Sequence, residues 1–196
     1  MTAQPYRSPK SFLKARLGRH GNRWLAAAGL LLGLAVESAI ANSEVDYELG
    51  FKAYQEDDLV VAMSSLERAA EAGHPQAQAL LGYILDKAED NEAAVRYYRM
   101  AADQGNAEGA YWLAALYANG EGVPKDYPEA FRWFLVAAEA GYGPAIDVVA
   151  NAYLNGELGQ TRDRAKAKQW LQRGAEFGYE PAKTKLEQLA HPEGEG

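Results

Sequence analysis

The 196-residue chain contains no cysteine. Disulfides, thiolate nucleophiles and cysteine metal sites are excluded together, and so is lipidation at a cysteine following an export signal. Histidine is scarce as well: beyond residue 41 only His74 and His191 remain. Neither has an acidic or nucleophilic neighbour at a spacing that builds a catalytic or metal site. His74 therefore reads as a turn residue before Pro75, and His191 as part of a polar tail. Beyond residue 41 there is no Ser-x-x-Lys, so Ser64 and Ser65 lack the suitably spaced lysine of a serine hydrolase. No apolar run reaches the roughly 20 residues that cross a bilayer. No stretch alternates apolar and polar residues as a half-buried strand does. Positive charge is thin over most of the chain. Of 20 basic and 27 acidic residues, six basic (Arg7, Lys10, Lys14, Arg16, Arg19, Arg23) and one acidic (Glu37) fall within residues 1–41, leaving 14 and 26, a net charge of −12. An acidic body repels phosphate backbones, which argues against nucleic acid and for a partner with a basic surface. The same acidity also serves solubility.

What is present begins with an export pattern. Residues 1–23 are basic and polar, and residues 24–36, WLAAAGLLLGLAV, form an unbroken apolar run. Glu37-Ser38 and then Ala39-Ile40-Ala41 follow. Basic region, apolar region and small-residue site stand in the order of a secretory signal peptide over residues 1–41. Cleavage is predicted after Ala41, which implies a periplasmic or secreted protein. Left uncleaved, the same segment would be a membrane anchor with the body outside.

The remainder repeats, and the 48% apolar content of the whole chain is enough for a sizeable core. Two small residues followed by a glycine three further on recur four times: Ala69-Ala70 with Gly73, Ala101-Ala102 with Gly105, Ala137-Ala138 with Gly141, and Gly174-Ala175 with Gly178. The glycines are 32, 36 and 37 residues apart, the period of helical repeats. Each unit reads as two helices. The first carries an apolar-small pair: Leu49-Gly50, Leu81-Gly82, Leu113-Ala114, Val149-Ala150. The second carries a bulky pair: Tyr97-Tyr98, Trp133-Phe134 and Trp170-Leu171, with Ser65-Leu66 in the first unit. Positions three and four apart share a helical stripe, and small residues let helices approach while large ones fill the space beside them. The glycines suit left-handed helix ends, and Pro75, Pro128, Pro144 and Pro181 suit the first turns that follow. In Glu89-Asp90-Asn91-Glu92, Asn91 is the expected helix cap, because the spacing fits no calcium loop. Gly120-Glu121-Gly122-Val123 lacks the Lys-Ser/Thr of a phosphate loop and reads as an interhelical turn. Arg162, Arg164, Lys166, Lys168 and Arg173 read as a solvated basic helix face, with a docking patch for an acidic partner as the alternative.

The third unit, Ala107 to Gly141, resembles a Sel1-like repeat throughout. The matching residues are Leu113-Ala114-Ala115-Leu116-Tyr117, Asn119-Gly120-Glu121-Gly122-Val123, Asp126, Ala130, Trp133-Phe134 and Ala137-Ala138-Glu139-Ala140-Gly141. The fourth unit departs, with Gly156-Glu157-Leu158-Gly159 at the loop and Gly174 for an alanine. The second lacks the loop and resembles the shorter tetratricopeptide (TPR-like) repeat; the first is degenerate. The resemblance implies an all-α fold: a right-handed α/α solenoid of about four helix-turn-helix repeats over 45–189. Its units would be 45–73, 74–105, 106–141 and 142–178, with a capping helix at 179–189 and a disordered tail at 190–196.

In the resembled families the first helix of each pair lines a concave surface. Residues there that avoid the packing stripe are Tyr47, Phe51, Tyr54, Tyr83, Tyr111 and Asn151, with Asp86, Asp147 and Asn155 as polar companions. Aromatic side chains in a groove bury area with few rotors and make good anchors. Trp112, Trp133 and Trp170 read as structural. The expected function is an exported protein–protein interaction module that holds a partner protein or peptide, in envelope assembly, signalling or host contact. A structural subunit of an envelope complex is the alternative. A β-lactamase-like hydrolase, an activity described for some Sel1-like proteins, lacks its residues here. No cofactor, metal or small-molecule substrate is expected.

Overall fold

The computed structural model describes residues 40–190. The expected signal peptide therefore lies outside the described residues except for its last two positions, and the expected tail except for its first. The array belongs to the compact unit Ser43–Gly196. Among the described residues only helices and turns occur. The first helix, α1, is described over residues 40–55. It is followed by α2 (Leu59–Glu71), α3 (Pro75–Lys87), α4 (Asn91–Asp103), α5 (Ala107–Asn119), α6 (Tyr127–Glu139), α7 (Gly143–Asn155), α8 (Arg164–Glu176) and α9 (Glu180–Ala190). Four helix pairs and a closing helix thus stand where the periodicity puts them. Because α1 is described from residue 40, the helix includes the predicted cleavage point after Ala41.

The helix ends follow local chemistry. Side chains of Asp58, His74, Asp90, Asn106, Asp126 and Asp163 each accept from the backbone N–H three residues on. Each satisfies a donor that the first turn leaves without an intrahelical partner. The cap of α4 is Asp90, bonded to the Ala93 N–H at 3.2 Å, and not the expected Asn91, which is the first helical residue. Both residue types cap well, and the one-residue choice is made by where the preceding turn ends. In that turn Glu89 adopts a left-handed conformation, φ 63°. The four repeat glycines, Gly73, Gly105, Gly141 and Gly178, all have φ between 81° and 91°, as their positions require.

Packing repeats the logic of a small residue facing a large one. A Cβ on Gly50 would stand 2.7 Å from Leu66, and one on Gly82 would stand 2.8 Å from the Tyr98 ring. In the fourth unit Ala150 packs with Leu171. Leu66, Tyr98 and Leu171 are fully buried. Each such leucine contributes about 1.5–3 kcal/mol by leaving water. Gly174, where the repeat pattern has alanine, leaves room for Ala182 and Ile146, which would meet an added Cβ at 2.8 and 3.0 Å. Gly122 lies against the start of α4, since its Cβ would fall 2.4 Å from the Asn91 carbonyl. Consecutive helices pack in order, and first helices also meet first helices, α3 on α5 and α7 on α9. In helical-repeat stacks generally, curvature creates an extended concave surface.

Candidate partner-binding groove

Four of the nine expected residues meet in one place. Tyr47, Phe51 and Tyr54 from α1 and Tyr83 from α3 line a cleft of about 330 Å³. Positions 47, 51 and 54 are four and three apart, so they form one stripe on α1. The cleft is completed by Gln76, Ala79 and Leu80 of α3 and by Asn106 and Glu108 at the start of α5. The rings are arranged in pairs. Tyr47 stacks on Phe51 with centroids 5.9 Å apart, and Tyr54 meets Tyr83 edge-on at 6.5 Å. Phe51 is 39% exposed, a large apolar ring left partly in water.

The surroundings fix these rings. His74 stacks on Tyr47 at 4.5 Å. Its Nδ1 accepts from the Ala77 N–H at 3.2 Å, and its Nε2 lies 3.0 Å from Glu44 Oε2. A nitrogen that accepts cannot also carry the proton, so Nε2–H is the donor to Glu44. The residue expected to be a simple turn histidine therefore ties α1 to α3 behind the cleft. Burial holds the Tyr47 hydroxyl above its ordinary pKa, and Glu44 and Glu108 push it in the same direction. Tyr54 is raised by burial first and then by Tyr83.

The other five expected residues lie elsewhere. Asp86 is half-buried on α3, where burial and then Glu121 raise its pKa. Tyr111 packs among Trp112, Phe134 and Tyr142, with centroids 5.1, 5.5 and 5.2 Å away. Asp147 accepts from the Tyr179 hydroxyl at 3.2 Å and pairs with Lys185 at 3.0 Å. Lys185 also lies 3.5 Å from Asn151 Oδ1. Asp147 and Asn151 thus hold α9 against α7. Asn155 donates to Glu157 in the following loop at 3.1 Å. Of the tryptophans read as structural, Trp133 is 5% exposed, while Trp112 and Trp170 are half-buried against the core.

Sequence reasoning missed Gln76, Leu80, Asn106 and Glu108. Gln76 and Leu80 stand seven and three residues before Tyr83, and Glu108 three before Tyr111, so helical spacing from the chosen tyrosines carried the signal. A second apolar hollow of about 300 Å³ adjoins the cleft beyond Tyr54 and Tyr83, lined also by Leu59, Ile84, Lys87 and Ala88. Among the described residues no cluster of histidine and carboxylate groups could hold a metal ion, and no helix is long and apolar enough to cross a membrane.

Stacked helix pairs define the class: a helical-repeat solenoid, here with an aromatic cleft between α1 and α3. Within that class the chain belongs to the Sel1 repeat family, whose model matches residues 75–106, 107–142 and 145–179, together just over half of the chain. The solved Sel1 repeat protein of Oxalobacter formigenes superposes with TM-score 0.64 at 28% identity, covering 71% of this chain and 58% of that one. A protective antigen of uropathogenic Escherichia coli with an SLR fold superposes with TM-score 0.70 at 30% identity, covering 83% and 36%. Among curated relatives, the DAP3-binding cell death enhancer 1 of Rattus norvegicus is 35% identical over 43% of this chain and 17% of its own length. The chitin synthase regulator SKT5 of Malassezia restricta is 32% identical over 89% of this chain and 13% of its own. The exopolysaccharide production negative regulator of Rhizobium leguminosarum bv. viciae is 32% identical over 55% and 45%. This chain therefore spans less than half the length of each of these three relatives.

Proposed function

We propose that the chain is an exported interaction module, not an enzyme, and that its cleft between α1 and α3 anchors a segment of a partner protein. The observation that carries this reading is the convergence of Tyr47, Phe51, Tyr54 and Tyr83 on one cleft between α1 and α3. Rigid aromatic anchors in a preformed hollow are the usual centre of a protein interface. Regulator names recur among the relatives, which fits a module that acts by holding other proteins. The net negative body favours a partner with a basic surface. Export rests on the basic, apolar and small-residue order of residues 1–41.

Affinity capture from the native cells tests the groove. The partner retained by the wild-type chain should be lost with the combined Tyr47→Ala, Phe51→Ala and Tyr83→Ala variant, at unchanged helical circular dichroism. Undiminished capture by that variant refutes the groove. Mass spectrometry of the secreted or periplasmic fraction tests export, with Asn42 the expected first residue.

A further inference from the structure

We infer that the cleft is an anchor pocket for a cationic side chain, lysine or arginine, of a basic partner peptide. This rests on the reading of the cleft as the partner site and names the chemistry it selects. Three observations carry it. First, four aromatic rings from two helices line a single cleft, and aromatic faces attract ammonium and guanidinium groups. Second, a carboxylate sits in the same lining: Glu108 is exposed and has no hydrogen-bond or ion-pair partner among the described residues. Third, among the described residues the lining contains no lysine, arginine or histidine. Gln76 adds an exposed amide whose oxygen can accept. An aliphatic stem would pack on Phe51 and Leu80 while the cation meets the rings and Glu108, the division that long basic side chains make at other half-apolar surfaces.

The negative field at this spot is visible in Tyr47, whose hydroxyl ionises less readily because of burial, Glu44 and Glu108. Glu44 is occupied by His74, so Glu108 is the carboxylate left for a ligand. Lys87 lies over the Tyr83 ring at 5.4 Å, but it lines the adjoining hollow and not the cleft. That contact is an intramolecular instance of what the cleft would offer a partner.

The test is a titration of the full chain with four capped peptides, Gly-Gly-X-Gly-Gly, where X is arginine, lysine, citrulline or norleucine. Aromatic resonances of Tyr47, Phe51, Tyr54 and Tyr83 are followed by NMR. The arginine and lysine peptides should shift these resonances and bind about tenfold more tightly than their uncharged counterparts. Glu108→Gln should weaken them about threefold to tenfold at unchanged helicity, and Phe51→Leu should weaken them while keeping the apolar stem contact. Equal binding of norleucine and lysine peptides would overturn the cationic anchor while the groove's capture of its partner stood. Tetramethylammonium binding more tightly than either basic peptide would also overturn it, in favour of a free small cation. So would silence of the cleft toward every peptide. Loss of the groove itself is read separately, from undiminished partner capture by the triple alanine variant.

Discussion

A methyl group at position 82 has nowhere to go. It would stand 2.8 Å from Tyr98 Cδ1 and 2.9 Å from Cε1, and Tyr98 is fully buried among the residues that join α4 to α5 and α6. A ring locked on all sides cannot yield as the tip of a flexible side chain would. Alanine is the better helix former by about 1 kcal/mol, but forcing atoms into a packed core costs about 1–3 kcal/mol, so the two effects oppose each other. With the ring immobile the clash wins, and Gly82→Ala should destabilise by about 1–2 kcal/mol in urea unfolding. Asp86, one turn further along α3, makes a prediction of opposite sign. Burial and then Glu121 raise its pKa, so its protonated form suits the folded chain better than its charged form. A carboxyl with a raised folded pKa contributes stability that is full below its unfolded pKa and is lost as pH rises through the folded value. Asp86→Asn should therefore raise the melting temperature at pH 7, and the gain should shrink as pH falls toward about 4 and below. A gain that stays constant across that range would assign the effect to something other than ionisation.

Single helices depend on how their ends are tied. The α8 segment buries only Ala167, Leu171 and Gly174, so its cap matters more than in the better-packed α6. Asp163 Oδ1 accepts from the Lys166 N–H at 2.9 Å, while its own N–H donates to the Tyr153 carbonyl at 2.7 Å and fixes the loop independently of the side chain. Asp163→Ala should cost about 1 kcal/mol and Asp163→Asn much less, because asparagine also caps. The exposed Lys166 pair at 3.8 Å adds little, and 0.5 M salt should leave the difference between the two variants unchanged. Elements were the level at which the chain could be read directly. Glycine and proline punctuation, together with the small and bulky pairs, placed the helices that the structure shows. The Asp90 cap was not read, because Asp90 and Asn91 are equivalent in local chemistry and the turn before them decides. The site was read in part for a similar reason. Tyr47 and Tyr111 look alike in sequence, yet one lines a cleft and the other packs half-buried among Trp112, Phe134 and Tyr142. Asp147 and Asn151 looked free because Lys185, which takes them, belongs to a helix brought in by the fold.

At the scale of the whole array, the described helices pack mainly on their neighbours in order. From α2 to α9 consecutive helices pack on each other, and α3 also meets α5 and α7 meets α9. Stability in such a stack is a sum of local terms, and it need not be uniform. The apolar core is not uniform either. One continuous cluster runs from Ala94 in α4 to Ala152 in α7 and includes Tyr98, Phe131, Trp133, Phe134 and Ile146. The clusters at the two ends are far smaller: Leu66 to Leu81 across α2 and α3, and Ala150, Leu171 and Ala182 across α7 to α9. Amide hydrogen exchange should therefore show the slowest exchange in α4 to α7, with α1, α2, α8 and α9 opening at lower free energy. The cleft sits between α1 and α3, on the less protected side of that gradient, so occupancy by a partner should raise protection first in α1 and α2. Ligand energy would then be felt as local stabilisation, because whatever binds only the folded end shifts its opening equilibrium. Uniform protection along the chain, or a partner-induced rise confined to α7 to α9, would contradict this picture of a stack that is strong in the middle and tuned by binding at its first pair.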